Sequence, residues 1–447
     1  MRADRLGTVC TAAALAIGLC VLPAAGCAAD GSRVLGLEEC ITMGFAHDPG
    51  LRSGELEAKI GEARLSEMKG QMLPSVALQG SYARLSDVAA GTLTIPPVGT
   101  VPFPAPLVNS TSVRVSVQQP LFTGRRISSS IRQAAALRDA GRTDLSGNRM
   151  ELRYAITEAY WNLAKAGAQE QATRESVAQL DSHLADARKL LDQGMMTNNE
   201  VLQAKMRLED AHIELAGAEN LHQLSRVRLS QLIGLPWNAE IEVQEPSVEQ
   251  AQPPSEKLDQ VIGMALASRP EILSSRSRMS AQEASVELAS SGLFPSVYLT
   301  GDYTLADPNQ RVFPQTDQFV GTWSVGIMAS IDIGRYPQAL AQAEQARDRL
   351  AQERENSHRI ADAVTTEVIR AYLALTESTQ RLASLGSELQ QAEENERVAS
   401  ERFRQGVILS SESLDAQALL VRARLRQSQA FYDVLIDRAA LEKAMAR

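Results

Sequence analysis

Residues 73–83, LPSVALQGSYA, decide the fold, because the same pattern returns at residues 294–304 as FPSVYLTGDYT. In both segments apolar side chains alternate with polar or small ones, and Val76, Leu78 and Tyr82 share one side of the first segment. A period of two with one apolar face predicts a β-strand. Each run has about ten residues, which is the length of a tilted transmembrane strand. A soluble hairpin pair lying on a helix is the alternative.

A second alternating run follows each of these strands, around Val115 in the first half of the chain and around Val325 in the second. We therefore predict four strands, near residues 75–86, 112–122, 296–306 and 319–333.

Other motifs recur in the same order on both sides of the middle of the chain, so the chain is an internal duplication. The first repeat covers residues 34–235, a linker covers 236–256, and the second repeat covers 257–447. The paired motifs are Pro49-Gly50-Leu51 with Pro270-Glu271-Ile272, Gly124-Arg125 with Gly334-Arg335, Ala159-Tyr160 with Ala371-Tyr372, and Gln193-Gly194 with Gln405-Gly406.

The first repeat carries a longer loop between its two strands, over residues 91–109, and this loop contains five prolines. Because proline lacks an N–H group and has a fixed φ, we predict a surface loop without regular structure.

Long helical hairpins fill the rest of each repeat. Over residues 152–191 apolar side chains recur at alternating spacings of three and four, and ten of the twelve seam positions are apolar, as they are over 364–403. Such a seam is typical of a coiled coil. We predict hairpins over about residues 126–234 and 337–445. Gly194 stands where a glycine ends a helix, and Thr197 with Glu200 form a capping box that starts the next one.

Composition narrows the functional class. The 447 residues carry a net charge of -9 and only 4% aromatic residues, which fits long helices packed through small side chains better than several globular cores. Without a basic cluster, nucleic acid is not expected as a partner. No catalytic motif is present, and the five histidines include no pair at metal-ligand spacing. We therefore expect no enzyme activity, cofactor or metal site, and we expect His222 to be a tolerated polar residue of the helix seam.

The N-terminus predicts export. Residues 1–29 begin with Arg2 and Arg5, continue as an uncharged stretch rich in Ala and Leu, and end in small residues, as an export signal does. Cys27 follows small residues, which resembles the site at which bacterial lipoproteins are acylated. The alternative is cleavage after Ala29 with loss of Cys27. Cys40 then has no certain disulfide partner.

One four-stranded sheet cannot remain in a bilayer by itself, because the backbone groups of its two edges would lie unbonded in hydrocarbon. Several copies must therefore close a barrel. A dimer would have eight strands, and a barrel of that size is filled by its own side chains, whereas the twelve strands of a trimer can leave a lumen. Conduction therefore favours the trimer, with the polar strand positions facing water.

The export signal, the duplicated Pro-Ser strand entries, the Pro120-Leu121-Phe122-Thr123-Gly124 strand exit, the Ala-Tyr pairs and the hairpin glycines together resemble the TolC-like outer-membrane efflux proteins. The resemblance covers about residues 34–445. It implies a mainly α fold with transmembrane β: a homotrimer whose twelve-stranded barrel lies in the outer membrane and joins a long α-helical barrel in the periplasm. It also implies an exit duct for small molecules or polypeptides, in a tripartite efflux pump or a type I secretion system. Its partners would be outer-membrane lipid, a periplasmic adaptor (membrane fusion) protein, and an inner-membrane pump or ABC transporter.

The resemblance also implies two sets of functional residues. Adaptor contacts lie at the hairpin tips, and a periplasmic gate is formed by Glu412 and Asp415, three positions apart on one helix face. Each set has a purely structural alternative. The tip glycines would cap helices in any hairpin. Ser410 or Ser411 could cap the following helix, and the two acids would then only interact favourably with the helix dipole in its first turn. A periplasmic coiled-coil adaptor or a structural envelope protein without a pore is the alternative function. The six tip residues are Gly194, Met195, Met196, Gly406, Val407 and Ile408.

Overall fold

The computed structural model describes residues 33–88, 91–102, 107–244, 253, 256–313 and 315–447. The export signal, and Cys27 with it, lie outside the described residues. The elements follow in the order β1 (Arg33–Leu35), α1 (Leu37–His47), α2 (Pro49–Gly70), β2 (Ser75–Arg84), β3 (Thr92–Ile95), β4 (Gly99–Pro102), β5 (Asn109–Phe122), α3 (Arg126–Asp192), α4 (Asn198–Ile233), β6 (Ile241–Val243), α5 (Leu258–Ser268), α6 (Pro270–Ser290), β7 (Ser296–Asp307), β8 (Val320–Ser330), α7 (Tyr336–Arg404) and α8 (Ser410–Ala444).

Two helical hairpins, α3 with α4 and α7 with α8, are built from the four longest helices, and α3 also packs against α8. The apolar seam explains this packing, since its members Ile156, Leu163 and Leu184 are buried in α3. At about 1.5 Å per residue, the 67 residues of α3 extend over roughly 100 Å. None of the helices within the described residues combines the length and the apolar character needed to cross a membrane.

The four longest strands form one antiparallel sheet in the order β2-β5-β7-β8. Each copy contributes one hairpin, and β5 pairs with β7 to join the copies. Strands β2 and β8 stand at the two ends of this order, so each has one edge without a strand partner among the described residues.

The pairing register separates the two faces of the sheet. Leu78 pairs with Val115, Val115 with Tyr303, and Tyr303 with Trp323, which forms an apolar row across all four strands. These side chains are exposed, up to 73% for Leu78 and Trp323. The next row lies on the opposite face and consists of Ala77, Ser116, Asp302 and Ser324, the last two joined by a hydrogen bond. One face is therefore apolar and uncovered, and the other is polar.

The loop between β2 and β5 corrects one prediction. We expected no regular structure over residues 91–109, but β3 and β4 form an antiparallel ribbon there. Prolines are tolerated because a two-stranded ribbon leaves each strand one free edge, where a missing N–H group costs no ladder bond. Pro96 and Pro97 lie between the strands, and Pro102 pairs with Thr92 at the end of the ribbon.

One strand of a further small sheet, β6, lies within the segment predicted to be a linker. β6 pairs in parallel with β1, and Tyr160 of α3 secures this ribbon. The Tyr160 hydroxyl donates to Leu35 O at 3.1 Å and accepts from Gln244 N at 3.0 Å. Tyr160 is itself buried in a core that includes Ile156, Leu163 and the buried thiol of Cys40. A second core, around Val261 and Val368, occupies the corresponding place in the second copy.

Candidate functional site at the hairpin tips

Both hairpins turn with the same backbone geometry. In the first, Gly194 has φ +73°, Met195 N donates to Leu190 O at 2.9 Å, and Gly194 N donates to Leu191 O at 2.9 Å. In the second, Gly406 has φ +70° and Val407 N donates to Arg402 O at 2.9 Å. This is the Schellman arrangement, whose left-handed residue favours glycine. The glycines therefore cap helices, as the alternative interpretation of them requires.

The two turns also lie against each other. A Cβ added at Gly406 would come within 2.8 Å of Met195 Cε, so the thioether of one tip rests on the backbone of the other. Met195 and Val407 are exposed, at 60% and 68%. The structure thus places one predicted tip residue of each copy, Met195 and Gly406, against each other at the end of the helices.

The return helices begin differently in the two copies. Thr197 and Glu200 form the predicted capping box: Glu200 N donates to Thr197 Oγ1 at 3.4 Å, and Thr197 N donates to Glu200 Oε2 at 2.9 Å. The bonds from the Thr197 backbone and hydroxyl, aided by the Ser410 backbone, hold the pKa of Glu200 below its usual range. This acid is therefore occupied in starting α4.

In α8 the expected serine cap is absent. Leu409 is the N-cap residue and makes no side-chain cap bond, so the prediction that Ser410 or Ser411 caps this helix is wrong. Ser410 is instead the first helical residue, and its hydroxyl lies 2.9 Å from Nε2 of His183 on α3.

Glu412 and Asp415 lie in the first two turns of α8 and are exposed, while Ser413 and Leu414 between them are buried. Within the described part of the chain neither acid makes an ion pair. Both carboxylates are thus available to a ligand or to another copy.

The contact between His183 and Ser410 is the functional-site feature that the sequence did not indicate. The His183 ring also stacks on Phe403 of α7, with 4.3 Å between the ring centroids. His183 is 9% exposed, and burial lowers the pKa of its imidazole to about 4, against a smaller opposing effect of Asp186. A neutral histidine therefore joins the end of the first hairpin to both helices of the second.

This geometry predicts a pH dependence of stability. His183 takes up its proton near pH 6.5 when unfolded but only near pH 4 when folded, so its stabilisation is complete above pH 6.5, falls progressively between pH 6.5 and 4, and is fully lost below pH 4. Between pH 7.5 and 4.5 we expect the His183→Gln variant to lose about 2 kcal/mol less stability than the wild type, measured by thermal unfolding. The exposed His358→Gln should match the wild type, and identical pH losses in all three proteins would contradict the assignment.

Two polar residues at seam positions of the first hairpin, Glu170 of α3 and His222 of α4, contact each other. Nδ1 of His222 lies 2.6 Å from Glu170 Oε2, and Arg174 contacts the same carboxylate at 2.5 Å. Burial raises the pKa of Glu170, but His222 and Arg174 outweigh burial and hold it below its usual range. His222 is a paired polar seam residue, and the described residues contain no group of His, Cys, Asp or Glu side chains able to hold a metal.

A duplicated chain with two long helical hairpins, adjoining tips and a four-stranded sheet with an uncovered apolar face has the architecture of an outer-membrane channel protein. The chain belongs to the outer membrane efflux protein family, whose model matches residues 44–235 and 261–447. This membership confirms the resemblance inferred from the sequence. The chain is an exit duct of the bacterial outer membrane that extends into the periplasm, and its family and fold are those of channel proteins.

Individual relatives agree with this membership. The outer membrane efflux protein BepC of Brucella suis is 24% identical over 337 residues, which cover 75% of this chain and 72% of BepC. The CmeC outer membrane channel of Campylobacter jejuni superimposes with a TM-score of 0.79 at 16% identity, over 92% of this chain and 85% of CmeC. The outer membrane protein VceC of Vibrio cholerae superimposes with a TM-score of 0.77 at 17% identity, over 92% of this chain and 96% of VceC. The predicted mainly α fold is confirmed by these matches.

Proposed function

We propose that three copies of this chain form one continuous duct, with a twelve-stranded barrel in the outer membrane and a barrel of helices in the periplasm. The observation that carries the proposal is the sheet: its end strands β2 and β8 each have one edge without a strand partner among the described residues, and its apolar face is exposed. Both defects disappear when β8 of one copy pairs with β2 of the next and lipid covers the apolar face. The polar row through Ser116 and Asp302 then faces a water-filled lumen.

The duct conducts passively, and its energy comes from partners. An inner-membrane pump or ABC transporter drives the cargo, and a periplasmic adaptor protein joins this transporter to the hairpin tips. The apolar surface formed by Met195, Met196, Val407 and Ile408, with the turn glycines Gly194 and Gly406, is the proposed adaptor contact. Support comes from its exposure and from the contact between the two tips, which presents both copies to one partner.

Glu412 and Asp415 are the proposed gate of the periplasmic entrance. In a trimer they place six carboxylates around one aperture, where they would hold a divalent cation that blocks passage. Their exposure and their lack of ion pairs within the described residues support this role. The contact between His183 and Ser410 ties the first residue of α8, two positions before Glu412, to α3.

The test of the duct is assembly and conductance. Outer-membrane extracts should contain trimers that resist heating in detergent, and the purified protein should produce single-channel currents in planar bilayers. A monomer that leaves bilayers unperturbed would instead support a periplasmic adaptor or a structural envelope protein.

The gate has its own test. Replacing Glu412 by Gln together with Asp415 by Asn removes six charges per trimer, and we expect at least a tenfold rise in the divalent cation concentration that halves the current. The matched control replaces two exposed acids of α4, Asp210 by Asn and Glu214 by Gln, and should leave the block unchanged. Equal block in both double variants and the wild type would remove Glu412 and Asp415 from the gate.

A further inference from the structure

A cavity of about 270 Å³ opens where the sheet ends and α3 begins. Its walls include the exposed apolar side chains of Met72, Leu121 and Phe122, and Arg125 lies at its edge. Gln119 Nε2 donates to Met72 O at 3.0 Å and closes one side of the cavity. The cavity therefore has an apolar part, continuous with the exposed face of the sheet, and a cationic part beside the helices.

In the proposed duct, further copies would join the sheet away from the β5 part of this cavity. Four of its nine lining residues belong to the end of β5, which already pairs with β2 on one side and β7 on the other. Additional copies can add strands only at β2 and β8, which are the ends of the sheet. The cavity thus stays at the outer rim of the duct, at the level where the membrane-facing strands give way to the periplasmic helices.

The charge of Arg125 acts on the carboxylate of Glu287 and helps to lower its pKa, but from beyond ion-pair distance. Arg125 is exposed and makes no ion pair with another described residue, and the nearby carboxylate of Glu287 is already bound by Arg132 through both oxygens. The neighbouring Arg126 donates from Nη2 to the Tyr298 hydroxyl at 3.3 Å. Arg125 is therefore available to an anion from outside the chain.

The second copy shows how such an arginine is neutralised internally. Arg335 occupies the position of Arg125 in the repeat, and its Nε lies 3.2 Å from Asp332 Oδ2. The position that matches Asp332 in the first copy is Phe122, an apolar side chain in the wall of the cavity. The first copy thus has a hydrophobic contact where the second has an acid.

We propose that this rim binds a phospholipid of the membrane leaflet that faces the periplasm, with its phosphate on the Arg125 guanidinium and an acyl chain against Leu121 and Phe122. The inference rests on the proposed duct, because it requires the sheet to lie in the bilayer. A guanidinium matches the geometry of a phosphate, and the apolar wall offers nothing to an anion that has no acyl chain. A trimer has three such sites.

The experiment measures lipid binding to the full mature trimer in non-ionic detergent by native mass spectrometry, with dioctanoyl phosphatidylglycerol as the probe. Arg125→Gln should weaken binding about fivefold, and Arg125→Lys, which keeps the charge, should bind more tightly than Arg125→Gln. The matched control Arg335→Gln should bind as the wild type does. Equal binding by wild type and Arg125→Gln, or an equal loss in Arg335→Gln, would overturn the proposal.

Two further arms separate the remaining explanations. Inorganic phosphate at the same concentration should not displace the lipid, and displacement would show a site for free anions and overturn the lipid assignment. Planar-bilayer currents of the wild type are recorded from the same preparation. If the wild type conducts but Arg125→Gln binds lipid as the wild type does, the lipid proposal is wrong and the duct proposal stands. If the wild type forms no trimer or channel, the duct proposal is wrong.

Discussion

Placing arginine at Leu78 should abolish heat-resistant trimers in the outer membrane. Leu78 lies near the middle of β2 on the apolar face, in the row with Val115, Tyr303 and Trp323. An arginine facing lipid at the middle of the bilayer costs about 2–4 kcal/mol per site, so three copies would cost about 6–12 kcal/mol. The measurement is the yield of trimer in outer-membrane extracts, resolved on gels with and without heating.

The adjacent residue provides the control. Ala77 belongs to the polar row with Ser116 and Asp302, which faces the proposed lumen. Ala77→Arg adds the same charge to the same strand one position away, and we expect its trimer yield to stay close to that of the wild type. If both variants assemble equally well, or fail equally, the two faces of the sheet do not meet different surroundings and the barrel is refuted.

Truncating Tyr160 to alanine should destabilise the protein by about 3–5 kcal/mol, because the side chain is fully buried and leaves a large cavity. Two hydrogen bonds are lost as well, one to Leu35 O and one from Gln244 N, so the β1–β6 ribbon should loosen with the core. Thermal unfolding followed by circular dichroism gives the effect. Tyr160→Phe, which keeps the ring, should cost only about 1–2 kcal/mol.

The internal repeat again supplies a matched variant. Tyr372 occupies the position of Tyr160 in the second copy but is only partly buried. We expect Tyr372→Ala to cost less than half as much as Tyr160→Ala. Equal losses of stability would mean that the hydrogen bonds of Tyr160 to the β1–β6 ribbon do not explain its contribution.

The sequence predicts most of this fold because its strongest signals are local. A period of two along β2 and β7 and a seam of three-and-four spacing along α3 and α7 each extend over many residues, so tertiary context need not be known. β1 and β6 have three residues each, which is too short for any period to appear. The β3–β4 ribbon was not predicted because prolines are evidence against a paired strand. A two-stranded ribbon tolerates proline at its free edges.

The candidate site was predictable only where its chemistry is local. The capping box of Thr197 and Glu200 is four residues long, and the turn glycines are marked by their position after a helix. The bond between His183 and Ser410 joins side chains 227 positions apart, and no period or motif in the sequence connects them.

The position of the β1–β6 ribbon fixes the distance between Leu35 and the rim of the sheet. Leu35 is held beside Tyr160, which stands 34 residues along α3 from Arg126, or about 50 Å from the rim of the sheet. The eight residues from Cys27 to Leu35 span at most about 29 Å when fully extended. An acylated Cys27 could therefore touch the bilayer only if β1 left β6, so lipidation and an intact ribbon should be mutually exclusive in the assembled duct.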